Sequence, residues 1–317
     1  MKKRIFALAT LFACFLLPTL IARADISVVQ VRTPLATQTD IQNNPEHLSM
    51  DENIASQLGL TVGMQVRIYR NDSNYALYTL SEVRSELMYP GAVRISLAGR
   101  QRMGTSMQVF TATANTQVVH PSYTEQQAQS NSEFIEELSD GSEDSLIVLA
   151  PHGGGIESWT DEQAERVVSQ LGSSVTLWTC KGWKQPSGSS TRWHISSTDI
   201  SDLSFPRLET VSTREYQYAI SFHGMISEEI LIGGRAPDVI KNDLKAALDA
   251  ALSGTGIVVR IATYGEPNSG TSTDNIVNWI TADGDSGIQI EQGKNIREQH
   301  WMLIADTVAS VISGYLN

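Results

Sequence analysis

Cysteine is nearly absent. Cys14 and Cys180 are the only two in 317 residues, and the first falls in a stretch that reads as a cleaved leader. One remaining thiol excludes an intrachain disulfide, so stability has to come from buried apolar surface, which 293 residues in two domains can supply. Cys180 closes the apolar run Val175-Thr-Leu-Trp-Thr-Cys180 and reads as a buried structural thiol. Positive charge is also scarce. The chain carries 23 Lys plus Arg against 35 Asp plus Glu, and four of the basic residues lie in the first 24, so the remainder holds 19 against 35, a net of −16. Such a balance argues against nucleic acid as a partner.

The leader is written in residues 1–24. Lys2, Lys3 and Arg4 form a positive start, residues 5–21 are apolar and interrupted by Pro18, and Ala22-Arg-Ala24 is a small-x-small cleavage site. This pattern predicts a secretory signal cut before Asp25 and an exported protein, periplasmic or extracellular, with no stable membrane anchor after cleavage. Leu11-Phe-Ala-Cys14 loosely resembles a lipid-attachment site, but Phe12 is bulky for that pattern and the apolar run continues past Cys14.

From residue 25 to 120 the pattern is that of strands. Residues 26–32, 64–69, 76–80, 92–97 and 107–112 alternate with period two, and turn signals such as Asn71-Asp-Ser-Asn74 and Tyr89-Pro-Gly91 separate them. Residues 50–58 read as a short helix ending at Gly59. The sequence from that helix through Leu60-Thr-Val-Gly-Met-Gln-Val resembles small six-stranded barrels of the double-psi kind, so a small all-β barrel-like domain is expected over 25–120. His47 and His120 are lone histidines, read as surface or satisfied core residues and not as ligands. Residues 121–144 are polar, and Phe134, Ile135 and Leu138 suggest a helix over 131–138 leading into a second domain, 121–317.

That second domain is organised around residues 145–157. Residues 146–150 are five apolar positions in a row, which suits a strand buried on both faces, and Pro151, His152 and three glycines end it abruptly. Open α/β sheets place ligands beyond such strand ends. A phosphate cradle would need a Lys or a G-x-G-x-x-G spacing, and the loop has neither. It offers instead the imidazole of His152 and the carboxylate of Glu157, two members of an open zinc set that wants one more imidazole. The apolar run 218–222 delivers His223 followed by Gly224, the same strand-end arrangement again. A third run, 286–291, ends in Glu291, a candidate base for water activation.

Pro151-His-Gly-Gly-Gly-Ile-Glu157, Arg192-Trp-His-Ile-Ser-Ser-Thr198, Ser221-Phe-His-Gly224, Asn275-Ile-Val-Asn278 and Gly287-Ile-Gln-Ile-Glu-Gln-Gly-Lys-Asn-Ile-Arg297 together resemble the poly-γ-glutamate hydrolases, zinc enzymes distantly related to the zinc carboxypeptidases. The resemblance covers roughly residues 145–300. It implies a Zn2+ cofactor held by His152, Glu157 and His223, Glu291 as general base, and an anionic glutamyl polymer or peptide as substrate. It also implies an α/β fold: a three-layer, open, mixed or parallel sheet with helices on both faces, as in the zinc carboxypeptidases.

Elsewhere in this half, helices are expected at 160–172 with Thr160 as the cap, at 237–253 and at 300–316, and strands at 175–180, 230–235 and 256–263. Their alternation argues for a largely parallel sheet. His194 lies in one of the matching motifs and is a candidate for substrate binding or transition-state stabilisation. A glutamyl carboxylate calls for a cation, and Arg235 and Arg297 are the candidates for a bidentate fork. The strongly acidic balance of the chain opposes a long polyanion unless a basic cleft offsets it. Two other readings stay open: the same chemistry on a peptidoglycan or other peptide amide, and a non-catalytic exported binding protein with a structural metal site.

Overall fold

The computed structural model describes residues 25–316, so the expected leader lies outside the described residues. The first half runs β1 (Ile26–Arg32), α1 (Thr39–Asn43), β2 (His47–Asp51), α2 (Glu52–Gln57), β3 (Gln65–Asn71), β4 (Asn74–Arg84), β5 (Ala92–Ile95), α3 (Leu97–Arg102) and β6 (Phe110–Asn115). The six strands close into a barrel in the order β1-β5-β2-β4-β3-β6, with β6 antiparallel to β1. Inward residues such as Val29, Val31, Leu48, Ile68, Tyr78 and Val93 fill it as one cluster. Closure leaves no free sheet edge. The alternation expected in β1 is seen directly, with Ser27, Val29 and Val31 buried and Ile26, Val28 and Gln30 exposed. Residues 50–58 depart from the expected helix. Met50 and Asp51 end strand β2, which is buried at four of its five positions and so shows no period-two signal, and only Glu52–Gln57 is helical.

The second half runs α4 (Glu125–Asn131), β7 (Phe134–Ser139), β8 (Leu146–Gly154), α5 (Thr160–Leu171), β9 (Thr176–Gly182), α6 (Ser189–Trp193), α7 (Pro206–Glu209), β10 (Tyr218–Met225), β11 (Ile230–Gly233), α8 (Asp238–Ala251), β12 (Val259–Ile261), α9 (Ile276–Trp279), β13 (Gly287–Gly293) and α10 (Lys294–Ser313). Seven strands form one mixed sheet, β12-β11-β13-β10-β8-β9-β7. Its four central strands, β13, β10, β8 and β9, are parallel, while β11 and β7 run antiparallel to their inner neighbours. Residues 131–138 are not the expected helix. Ser132 takes a left-handed conformation that ends α4, and Phe134 to Ser139 pair with β9 at the sheet edge. At the start of α5 the cap position belongs to Trp159, with φ +78°, and not to Thr160.

One face of the sheet is covered by the long helices α5, α8 and α10, with Val148, Phe222 and Ile290 packed against Val167, Leu244, Leu248, Ile304 and Val308. The other face is different from the expected second helical layer. Ile147, Leu149 and Ala219 pack there against Trp193 of α6, Leu208 of α7, Ile276 of α9 and the barrel residues Tyr75 and Leu77. Barrel and sheet therefore share a core. Polar ties reinforce it: Arg67 forks onto Glu133 at 2.9 and 3.1 Å, and Arg102 donates to the carbonyls of Leu77, Thr191 and His194. Among the described residues no helix is long and apolar enough to cross a membrane.

Candidate metal centre

Three adjacent parallel strands end at one point. β8 carries His152, β10 carries His223 and β13 carries Glu291, and the β10–β13 register sets His223 directly beside Glu291. Paired residues of a parallel ladder point to the same face, so these two side chains emerge together. Glu157 reaches the same point from the turn after β8. Gly153 and Gly154 make that turn possible: Gly154 has φ +66°, and a Cβ on Gly153 would sit 2.7 Å from the Asp161 side chain. Asp161 in turn accepts from the Gly154 amide at 3.0 Å and pins the loop.

The side chains of His152, Glu157 and His223 form a compact triangle. His152 Nδ1 lies 3.2 Å from His223 Nδ1 and 3.2 Å from Glu157 Oε2, and His223 Nδ1 lies 3.7 Å from that oxygen. Tetrahedral zinc with bonds of about 2.0–2.1 Å spaces its ligand atoms about 3.3 Å apart. The outer nitrogens are held as well. His152 Nε2 donates to the Ile195 carbonyl at 2.8 Å, which leaves Nδ1 with its lone pair facing the triangle, and His223 Nε2 is 2.6 Å from Ser221 Oγ. Two buried imidazole nitrogens turned towards each other beside a carboxylate are the donor set of a divalent cation, so the residues present fit zinc. Among the described residues the other acidic group with ligand-like spacing is Glu125, Glu137 and Glu165, whose carboxylates converge on a cation the protein itself supplies, Lys181 Nζ.

Charge at the site follows from burial and these contacts. Burial opposes ionisation of Glu157, but the imidazoles of His152, His194 and His223 outweigh it and hold its carboxyl well below the usual range. Burial keeps His223 below its ordinary value, towards the neutral form a ligand needs. Burial and then the nearby Glu157 charge push Glu291 up to about 8, and Gln289 Nε2 donates to it at 2.9 Å.

These groups line a cavity of about 470 Å3, together with His194, Ser196, Thr198 and residues of the 264–272 loop. His194 lies in the segment after α6, its ring 4.3 Å from that of His152 and its Nε2 3.6 Å from Glu157 Oε1. Burial works against its charge, yet hydrogen bonds to Glu157 and Glu46 raise it to about 10.

Neither expected arginine lines the cavity. Arg297 is buried behind it, donating to the carbonyls of Ser158 and Gln292. Arg235 pairs with Asp285 and donates to the Thr271 carbonyl at 3.4 Å, bracing the 264–272 loop from outside. The physical reason is similar for both: backbone carbonyls, and for Arg235 the Asp285 carboxylate as well, engage the guanidinium before any substrate does. Sequence reasoning also passed over Gln289, which accepts from Asn275 at 2.8 Å while donating to Glu291. Its signal was present, since Gln289 and Glu291 alternate on one face of β13. Glu46, which reaches His194 from the barrel, had no local signal at all.

A family model described as poly-gamma-glutamate hydrolase matches residues 121–306. The UPF0714 protein YndL of Bacillus subtilis (strain 168) is 31% identical over 159 residues, covering 48% of this chain and 55% of that protein. The prophage-derived UPF0714 protein YoqZ of the same organism is 29% identical over 135 residues, 42% of this chain and 44% of its own length. The matched region thus spans about half the length of these curated relatives. Among solved structures, a bacteriophage poly-gamma-glutamate hydrolase aligns with 26% identity over 57% of this chain and 89% of its own, with a TM-score of 0.45.

Proposed function

Because the chain belongs to the poly-γ-glutamate hydrolase family, whose model spans more than half of it, we propose that it is an exported zinc-dependent hydrolase of γ-glutamyl amide bonds. The observation that carries this reading is the triangle of His152 Nδ1, His223 Nδ1 and Glu157 Oε2, with Glu291 one strand away. Zinc bound there supplies a Lewis acid that polarises the scissile carbonyl and lowers the pKa of water at the open position.

The protein's own groups do the rest. Glu291 takes the proton of the attacking water and delivers it to the leaving amine. Burial, and then the charge of Glu157, raises its pKa, and a cation held beside it would act in the opposite direction, favouring the carboxylate a base needs. Gln289 holds the Glu291 carboxylate and Asn275 holds Gln289, so the base has one orientation. His194 Nε2 faces the cavity as a donor for the carbonyl oxygen as it gains charge. No covalent intermediate is required.

A second reading concerns the substrate alone. The cavity is lined by hydroxyl and amide side chains, by acids and by His152, His194 and His223, with no Lys or Arg among its lining residues. With a net charge of −16 past the leader, this favours a short γ-glutamyl peptide, such as a peptidoglycan fragment, over a long polyanion. Mass spectrometry of products from poly-γ-glutamate and from peptidoglycan fragments, with and without chelator, separates the two. Zinc-loaded protein that cleaves neither would overturn the hydrolase reading.

A further inference from the structure

The family model begins at residue 121, yet His194, one of the histidines lining the cavity, is held from outside that region. Glu46, in the turn between α1 and β2 of the barrel, is only partly buried as a residue but points both carboxylate oxygens into the hydrolytic half. Oε1 lies 2.7 Å from His194 Nδ1, and Oε2 accepts from the Ser196 amide at 3.0 Å. Resting on the hydrolase reading, we propose that Glu46 is a positioning residue of this active site, supplied by the barrel: it fixes the ring of His194 so that Nε2 faces the scissile carbonyl.

The chemistry follows from the two nitrogens. A carboxylate accepts only, so the His194 nitrogen facing Glu46 has to carry a proton. The ring is then set by a contact whose other anchor is the backbone of Ser196, two residues on. With both oxygens engaged, the carboxylate cannot turn away, and the imidazole has one orientation instead of the range open to a partly exposed side chain. Arg102, also from the barrel and buried, clamps the same segment by donating to the carbonyls of Thr191 and His194, both at 2.8 Å. The clamped segment continues to Ile195, whose carbonyl orients His152. The barrel is thereby part of the reaction site and more than a covering for one face of the sheet. His47, the next residue, ties the same turn to Asp199 at 2.8 Å.

The test uses full-length protein loaded with zinc. Glu46→Ala is expected to lower kcat on poly-γ-glutamate or the better peptide substrate by about 10- to 100-fold, with KM within about twofold and zinc content unchanged. Glu46→Gln, which keeps an acceptor oxygen and the same shape, is expected to recover part of the loss and serves if the alanine variant fails to fold. The double variant Glu46→Ala/His194→Ala should be no slower than His194→Ala alone, because the two residues act as one unit. Nitrogen-15 NMR of the His194 ring supplies a readout independent of turnover: an Nδ1 proton held in a hydrogen bond and protected from exchange in the wild type, and exchanging freely in Glu46→Ala. Additive losses in the double variant, or a His194 ring unprotonated at Nδ1 in the wild type, would overturn the proposal. A wild type that binds zinc and hydrolyses nothing sinks the hydrolase reading, and the exchange protection of the Nδ1 proton then still decides whether Glu46 holds His194.

Discussion

Arg297 lies against the bare Cα of Gly224: a Cβ built on that glycine would sit 2.0 Å from Nη1 of the guanidinium. The contact joins two parts of the site. The Gly224 amide donates to Glu157 Oε2 at 2.8 Å, while Arg297 holds the Ser158 carbonyl, so the glycine and the arginine grip the Glu157 loop from both sides.

The first expectation concerns that grip. Gly224→Ala forces the guanidinium out of its place or moves β10, and overpacking of this kind costs about 1–3 kcal/mol. Thermal unfolding of the metal-free protein should shift down, and zinc should bind more weakly because Glu157 loses its fixed position. Unchanged melting and unchanged zinc affinity would show that Arg297 moves aside without consequence.

Metal analysis provides the second. His152→Ala or His223→Ala should abolish bound zinc, since either leaves a two-ligand site. Zinc should raise the melting temperature of the wild type in proportion to the logarithm of its free concentration. Neither variant should show that rise.

For Glu291 the expected result separates binding from turnover. Glu291→Gln keeps the shape and an oxygen able to accept from Gln289, so zinc stays bound, while the loss of proton transfer lowers kcat by about 10²–10⁴-fold. Unimpaired hydrolysis by this variant would exclude Glu291 as the base.

A fourth expectation is a pH dependence of the contact between barrel and sheet. Burial opposes charge on His47, but hydrogen bonds to Asp199 and Asp40 outweigh it and raise the imidazole to about 9. A pKa raised in the folded state gives stability that is complete below about pH 6.5 and lost as the pH climbs through about 9. The melting temperature of the wild type should therefore exceed that of His47→Gln at pH 6, and the gap should narrow by pH 9.5. A constant gap across this range would assign the effect to packing.

Much of the site was legible in the chain because its signals are local. An apolar run that stops at a His followed by Gly marks a strand end with room for a ligand, and this happens at His152 and again at His223. Glu291 could be read in the same way from the alternation of β13. The arginines could not. Arg235 and Arg297 are placed by carbonyls of Thr271, Ser158 and Gln292, groups every residue possesses and no pattern distinguishes. The strand at Phe134 to Ser139 was equally hidden, because its spacing also fits a helix and only pairing with β9 decides between them.

What the sequence by itself determined is the chemistry on offer: two imidazoles and two carboxylates at or just past the ends of buried runs, a loop of glycines able to turn, and an acidic balance of charge. The tertiary structure alone decided that His152 and His223 meet at 3.2 Å, that both arginines leave the cavity, and that Glu46 crosses from the barrel to His194, 148 positions away. The division has one physical cause. Side-chain type and backbone preference act over a few residues, whereas the distance between groups on separate strands is set by register and by the packing of whole layers.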